Sequence, residues 1–248
     1  MKVLVVGDSC VDRYIYGTSS RMCPDAPVPV LIPKRTVENG GMAKNVQSNI
    51  ISLGVECDIL TNEENIVKTR YVHEHTNHMF IRVDTNEESI KRVDPSKLKN
   101  LNNYDAIVVS DYNKGFLEEY DIQALCSEHP LVFMDTKKQL GFWASKCSYI
   151  KVNESEYNYS KKHFASIDES LKENLIVTLG PKGCNYRDKN YPVEKVEVKD
   201  MTGAGDTFIS GLVVEYLKTG DIDKSIRFAN DCATKVVQKK GVVAVNEV

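Results

Sequence analysis

The sequence predicts an α/β fold of three layers, in which helices cover both faces of a mainly parallel central sheet. Five short apolar runs, rich in valine and isoleucine, each end at a polar or glycine residue. Amphipathic helical patterns lie between these runs, for example over residues 41–53 and 117–128. Uninterrupted apolar runs are typical of strands buried on both faces, and strands that alternate with helices form a parallel sheet.

In chain order, the predicted strands are residues 3–6, 106–109, 131–134, 149–152 and 175–179. The residues at which they end are Asp8, Asp111, Asp135, Asn153 and Gly180. Ligands of such sheets bind at the carboxyl ends of the strands. We therefore expect these residues to form the rim of an active site, and ordinary turn chemistry is the alternative.

Two segments do not follow the alternation of strands and helices. Residues 27–33 carry three prolines, which confine a strand there to the edge of a sheet. Residues 69–83, which mix polar and apolar side chains, are the second such segment. Both are predicted to be strands of a smaller unit outside the main sheet, near residues 13–36 and 69–93. A β-hairpin without a functional role is the alternative.

Composition narrows the class of protein. The 248 residues are 42% hydrophobic and 27% charged, with a formal net charge of −3, which suits one soluble domain over residues 1–248. No basic tract and no apolar run near 18 residues occurs, so we expect neither nucleic-acid binding nor a membrane span. Seven scattered cysteines without a Cys-x-x-Cys pair, and no room for a signal peptide before the first strand, predict a cytoplasmic protein.

A glycine-rich turn opens a predicted helix at Gly203, Ala204 and Gly205, and Asp206 follows directly. The backbone N–H groups of such a turn converge on one point, where the helix dipole adds positive charge, so an anion such as phosphate binds there. A carboxylate beside that anion would repel it as a ligand. Asp206 is instead suited to be the general base for a hydroxyl that attacks phosphorus.

This segment resembles the second signature of the ribokinase-like (PfkB) family of carbohydrate kinases, with Met201 in the place of a usual threonine. The family's first signature, a glycine pair followed by an asparagine, is similar to Gly40, Gly41 and Asn45. The resemblance covers nearly the whole chain. It implies a ribokinase-like fold, ATP and Mg²⁺ as cofactors, a small-molecule sugar substrate under a small β lid, and a homodimer formed through that lid.

The resemblance also implies the nucleotide site. Asn153 and Glu156 match an Asn-x-x-Glu motif, in which Glu156 acts on Mg²⁺ through water, although a helix N-cap with a capping-box glutamate is the alternative. Thr178, Gly180 and Gly183 are similar to a turn that meets the phosphates and ribose. Asn230, on a helix with small side chains, is expected near adenine, and a closely packed core helix is the alternative.

At the sugar end, the resemblance implies contacts from Asp12, Gly41 and Asn45, and Asp8 is either a further contact or a turn residue. Residues 7–14, 21–30 and 110–115 resemble the kinase domain of the heptose-7-phosphate kinases. That resemblance implies transfer to O1 of D-glycero-D-manno-heptose 7-phosphate. Candidates for its distal phosphate, each of which is otherwise a solvated charge, are Arg82, Arg92 and Lys114.

Three functions compete: the heptose-phosphate kinase, a PfkB kinase for another sugar, sugar phosphate or nucleoside, and a non-catalytic binding module on the same fold. The intact Asp206 disfavours the third. A zinc site at His73, His75 and His78 is a weaker interpretation than a polar lid strand. The chain is shorter than typical family members, and the shortage falls at 54–68 and 153–177, where further helices would be expected.

Overall fold

A computed structural model describes residues 1–163, 169–239, 241 and 243–247 of the chain. Twelve strands lie in the described part: β1 Lys2–Gly7, β2 Ser9–Thr18, β3 Ile32–Met42, β4 Glu56–Leu60, β5 Val67–His73, β6 Met79–Thr85, β7 Ala106–Asp111, β8 Val132–Thr136, β9 Tyr149–Asn153, β10 Leu175–Thr178, β11 Cys184–Tyr186 and β12 Lys189–Tyr191. The helices there are α1 Ala43–Ser52, α2 Glu119–Glu128, α3 Glu154–His163, α4 Glu169–Lys172, α5 Ala204–Thr219 and α6 Ile222–Val236.

The central sheet has eight strands in the order β12-β11-β10-β9-β8-β7-β1-β4. Neighbours from β10 to β4 are parallel, whereas β11 pairs antiparallel with both β10 and β12. The five predicted strands are confirmed, and β4, β11 and β12 are additional. Asp8, Asp111, Asp135, Asn153 and Gly180 all lie at the carboxyl edge of the parallel strands, as predicted.

Alternate residues of each central strand feed two separate cores, one on each face of the sheet. Val3 and Val5 pack with α1, α5 and α6, while Leu4 and Val6 pack with α2 and with side chains of α3 and α4. Because both faces of each strand are buried, its sequence is a continuous apolar run. The predicted three-layer α/β fold is confirmed.

A second sheet of four strands, in the order β3-β2-β5-β6, forms the lid. The expected edge strand at residues 27–33 is wrong, because strand β3 begins at Ile32 and continues to Met42. Before it, Pro29 makes only an isolated bridge with Met22. Prolines have no N–H to donate to a ladder, so regular pairing with β2 begins at the end of this segment. Residues 69–83 contain parts of two strands, and no strand continues over 86–93.

The two shortened segments differ from each other. Residues 54–68 hold the edge strand β4 and no helix, whereas residues 153–177 contain α3 and the single turn α4, with 164–168 outside the described residues. All seven cysteines are free thiols. The longest described helix, α5, has 16 residues, and no helix in the described ranges has the length and apolar character needed to cross a bilayer.

Candidate active site

Asp206 lies in the first turn of α5, after a glycine in the left-handed conformation. Gly203 has φ 80°, which an L side chain rarely adopts, and it turns the chain into the helix. The N–H of Ala204 makes a 3.3 Å bond to the Met201 carbonyl, whereas those of Gly205 and Asp206 have no acceptor among the described residues. The Gly203 N–H has no acceptor there either, so the free N–H groups of this turn are those of Gly203, Gly205 and Asp206.

The Asp206 carboxylate is only 5% exposed, and each oxygen accepts one side-chain hydrogen bond. The Tyr112 hydroxyl donates to Oδ1 at 2.6 Å, and the Asn45 Nδ2 donates to Oδ2 at 2.8 Å. Burial, with a smaller effect of the Asp135 charge, raises the pKa of Asp206 to about 6, although the two hydrogen bonds act in the opposite direction. A carboxylate with this pKa is ionised at neutral pH yet basic enough to accept a proton.

Tyr112 remains protonated in this arrangement. Burial and the negative charges of Asp206 and Asp135 raise the pKa of its hydroxyl well above the ordinary value. Its hydrogen bond to Asp206, together with that of Asn45, fixes the plane of the carboxylate. Asn45 comes from the first turn of α1, directly after the lid strand β3, so one side of the carboxylate faces the lid.

A cavity of about 870 Å³ opens on the other side of Asp206 along the carboxyl edge of the sheet. Its lining includes eight residues predicted to bind nucleotide or act in catalysis: Asn153, Thr178, Gly180, Gly183, Gly203, Ala204, Gly205 and Asn230. Asp206 itself lines the cavity as well. This volume is in the range of small-molecule sites. The structure thus brings the candidates for nucleotide binding to one place.

Beneath the glycine turn lies a buried ion pair. Lys151 Nζ is 2.7 Å from Asp135 Oδ2, and both side chains are almost fully buried. A Cβ on Gly205 would stand 2.8 Å from Lys151 Nζ, closer than real Cβ contacts. The absence of a side chain at Gly205 lets the ammonium group approach the turn that is predicted to bind an anion.

Glu156 has two partners beside the same cavity. Its Oε2 accepts from the Asn153 N–H at 2.8 Å, and the Asn153 Oδ1 accepts from the Glu156 N–H at 2.9 Å, which is the predicted capping box. Its Oε1 pairs with Lys137. A capping role does not exclude a metal role, because the Oε1 atom pairs with a partly exposed lysine rather than with a backbone group.

Mg²⁺ fits the acidic residues here. Asp135 Oδ1 is buried without a hydrogen-bond partner, and Asp135 lines the cavity. No group of three or more His, Cys, Asp or Glu side chains positioned to hold a metal occurs within the described ranges. An ion held by nucleotide phosphates, water and one or two carboxylates matches this arrangement, since Mg²⁺ keeps most of its waters. Asp135 and Glu156 are the residues that would hold it.

Apolar side chains also line the cavity. They include Val193, Val196, Val198 and Met201, of which Met201 is 72% exposed. Asn230, expected near adenine, is buried and donates its Nδ2 to the Tyr191 carbonyl at 3.0 Å. Packing and this bond are thus its observed role, and only its remaining atoms are available to a base.

On the lid side, Asp12 is buried and pairs with Arg70 from the neighbouring strand β5. A Cβ on Gly41 would overlap the Asp12 carboxylate, so Gly41 leaves the space that this side chain occupies. The two residues therefore lie against each other in the lid sheet, where β2 pairs with β3. Gly40 is in contact with α1, where an added Cβ would stand 2.8 Å from the Lys44 Cβ.

Asp8 has a structural role in the observed fold. It is fully buried, its Oδ2 accepts from the Tyr112 N–H at 2.7 Å, and its Oδ1 accepts from the Phe116 N–H at 3.3 Å. The turn interpretation is therefore the one that its contacts favour. Asp8 acts on the site by holding the loop that carries Tyr112.

The three predicted phosphate cations differ in their surroundings. Lys114 Nζ is 2.7 Å from Glu87 Oε2, and Lys68 approaches the same carboxylate at 3.2 Å. Arg82 lies opposite Arg70 across β5 and β6 and pairs with Asp84 at 2.9 Å. Arg92 instead holds Asp121 through two hydrogen bonds, at 2.6 and 2.8 Å, so its guanidinium is committed to the start of α2.

The expected strand over His73 and His75 is wrong beyond its first residue, since β5 ends at His73 and a turn follows. The His73 ring packs edge-on against His75 and Phe80, and His78 packs against Phe80. Aromatic packing at the end of the lid accounts for these side chains, and none of them belongs to a metal-binding group among the described residues.

Four residues of the site were missed by the sequence reasoning: Tyr112, Lys151, Arg70 and Lys137. Tyr112 is 94 positions from its partner Asp206, and Lys151 lies inside an apolar strand run. A lysine within such a run is itself a signal, because lysine is almost never fully buried without a partner.

Comparisons with known proteins agree with this geometry. The model of the pfkB family of carbohydrate kinases matches residues 1–248. The bifunctional protein HldE of Helicobacter pylori is 31% identical over 295 aligned positions, which cover 97% of this chain and 64% of that protein. HldE of Sulfurimonas denitrificans is 29% identical, with 99% of this chain and 62% of that protein covered. The chain spans slightly under two thirds of the length of these relatives.

Solved structures show the same fold. The ribokinase of Thermotoga maritima aligns with a TM-score of 0.73 at 16% identity, covering 99% of this chain and 96% of that one. Phosphofructokinase-2 of Escherichia coli in complex with potassium aligns with a TM-score of 0.71 at 11% identity, covering 99% and 95%. With the match of the family model over its whole length, this chain belongs to the pfkB family of carbohydrate kinases.

Proposed function

We propose that this kinase transfers the γ-phosphate of ATP to O1 of D-glycero-D-manno-heptose 7-phosphate and produces the 1,7-bisphosphate. The observation that carries the phosphoryl transfer is Asp206, a buried carboxylate between an anion-binding turn and the lid. The heptose acceptor rests on the resemblance of residues 7–14, 21–30 and 110–115 to heptose-7-phosphate kinases. The similarity to HldE proteins over nearly the whole chain supports the same choice.

In this proposal the acceptor hydroxyl reaches Asp206 from the lid side, where Asn45 and Asp12 lie. Asp206 takes the proton as the sugar oxygen attacks phosphorus, while Tyr112 and Asn45 hold the carboxylate in place. The N–H groups of Gly205 and Asp206 donate to the transferring phosphoryl group, and Lys151 supplies positive charge behind the turn. Mg²⁺, when bound to the nucleotide, neutralises phosphate charge during the transfer.

A phosphorylated acceptor is favoured by the charges around the lid. Lys68 and Lys114 converge on Glu87, and Arg70 and Arg82 are register neighbours on β5 and β6. Arginine and lysine side chains are the usual ligands of a phosphate monoester, whereas a neutral sugar needs only hydrogen bonds. A distal phosphate would have several of these cations as partners, and each of them pairs with a carboxylate in the structure.

Release of ADP from Mg²⁺-ATP, measured with a panel of acceptors, tests the substrate. The panel contains heptose 7-phosphate, fructose 6-phosphate, ribose, fructose and adenosine. We expect turnover with heptose 7-phosphate to exceed that with the unphosphorylated acceptors by about two orders of magnitude, because only a sugar phosphate can accept charge-assisted hydrogen bonds from the lid cations. Turnover only with another acceptor of the panel would support a kinase but contradict heptose 7-phosphate as its substrate. Nucleotide binding without turnover would favour a binding module.

The lid also supports a proposed homodimer. Ile81 and Val83 are exposed on one face of β6, in register with Tyr71 and Thr69. We expect sedimentation to show a dimer at micromolar concentration and the Ile81→Glu variant to be a monomer, because a charge in an apolar interface is costly. A wild-type protein that sediments as a monomer would contradict this assembly.

A further inference from the structure

Of the four lysines that line the cavity among the described residues, Lys137 and Lys151 carry charges that interact with Asp206, and they differ in their exposure. Lys151 is 3% exposed, bound to the buried Asp135 and packed beneath Gly205. Lys137 follows β8, and its side chain is 34% exposed. Moving Lys151 would leave Asp135 as an uncompensated buried charge, which is strongly unfavourable. Lys137 can therefore change partners, whereas Lys151 is fixed.

Glu156, the partner of Lys137 in the structure, has a second hydrogen bond that does not involve Lys137. Glu156 pairs with Lys137 through Oε1, and its Oε2 separately accepts from the Asn153 N–H at 2.8 Å. When Lys137 leaves, Glu156 retains that backbone bond. The exchange of this partly exposed ion pair costs little, because solvent screens such a pair.

The surroundings of Lys137 place its ammonium group at the reacting end of the cavity. Its Nζ lies 5.5 Å from the centre of the Tyr112 ring, and Tyr112 donates to Asp206. The terminal phosphate of ATP must also lie beside Asp206, because the hydroxyl that Asp206 deprotonates attacks it.

We propose that Lys137 leaves Glu156 when ATP binds and donates to the terminal phosphate, so that it is a phosphate-binding residue specific to the group being transferred. The inference rests on the proposed kinase function. A terminal phosphate offers Lys137 more negative charge than one carboxylate does. Departure of Lys137 also exposes Glu156 Oε1, which is then available to the hydration shell of Mg²⁺. In the structure Lys137 thus neutralises the acidic residues that a metal ion would otherwise face.

Nucleotide binding without acceptor tests this role and needs no turnover. Binding of ADP and of the non-hydrolysable β,γ-imido analogue of ATP is measured by calorimetry. Lys137→Gln is expected to weaken binding of the analogue about 10- to 100-fold, the effect of one charge-assisted hydrogen bond, and binding of ADP less than about threefold. Lys137→Arg should recover part of the loss. The control Lys195→Gln removes the same charge from another lysine that lines the cavity and should affect both nucleotides equally.

A second variant tests the exchange itself. With EDTA present, Glu156→Gln removes the competitor for Lys137, so the analogue should bind about threefold to tenfold more tightly, and the double variant Lys137→Gln, Glu156→Gln should lose that gain. If Lys137→Gln weakens the binding of ADP and of the analogue by the same factor, or weakens the binding of neither nucleotide, the lysine does not bind the terminal phosphate and the inference is wrong. A wild-type protein that binds no nucleotide would overturn the proposed function instead, so the two failures are distinguishable.

Discussion

Replacing Asp206 with Asn is expected to lower the turnover number by about 10²- to 10⁴-fold, the usual contribution of a general base. The amide cannot accept the proton of the sugar hydroxyl, but it has nearly the same volume and leaves the cavity intact. Affinity for ATP should therefore change less than about threefold, since uniform binding is not affected. Steady-state ADP release and calorimetry measure the two quantities.

The pH dependence of the wild-type enzyme gives an independent check on Asp206. Because burial raises its pKa to about 6, the carboxyl is protonated and inactive at lower pH. The ratio kcat/KM should rise with pH, reach half of its plateau near pH 6 and level off above neutrality, since this ratio reports groups of the free enzyme. Residual activity of the Asn variant should lack this rise. Full activity of the variant, or a flat wild-type profile between pH 5 and 7, would exclude Asp206 as the base.

Replacing Lys151 with Met should have the largest effect on stability. The change leaves Asp135 buried without its counter-ion, which costs about 3–5 kcal/mol of the free energy of unfolding. Urea unfolding at pH 7 measures the loss. The double variant Lys151→Met, Asp135→Asn should recover about half of it or more, because the orphaned charge is removed.

The matched control for Lys151 is Lys224, whose Nζ lies 3.6 Å from Asp221 at the exposed start of α6. Lys224→Met should cost less than about 1 kcal/mol, because solvent screens an exposed pair. Loss of Lys151 should also raise the pKa of Asp206, since the lysine charge lowers it, and shift the rise of kcat/KM to higher pH. Equal effects of the two substitutions would contradict a buried, stabilising ion pair at Lys151.

The extent to which the sequence predicts the fold depends on how strands are buried. The runs at β1, β7, β8, β9 and β10 are recognisable because side chains on both faces of these strands are covered. Strand β4 lies at the edge with a mixed pattern, and β11 and β12 have three residues each, so periodicity does not reveal them. Strand β3 is largely exposed and is held by its ladder with β2.

Prediction of the site likewise depends on whether its residues are adjacent or far apart in the sequence. Gly203, Gly205 and Asp206 are adjacent in the chain, so their turn and its chemistry can be predicted together. Tyr112 and Lys151 reach the site through contacts between distant positions, which no local pattern encodes. Asp8 has the residue type expected of a sugar ligand, but its contacts with backbone N–H groups depend on how two strand ends meet.

The most direct test of the proposed reaction is the position of the phosphate in the product. The protein is incubated with Mg²⁺-ATP and D-glycero-D-manno-heptose 7-phosphate, and the sugar is followed by ³¹P and ¹H NMR. We predict a second phosphate resonance coupled to the anomeric proton, formed in proportion to ADP and absent with Asp206→Asn. Phosphate on a different hydroxyl, or no new sugar phosphate while ATP binds normally, would contradict the assignment of Asp206 as the base for transfer to O1.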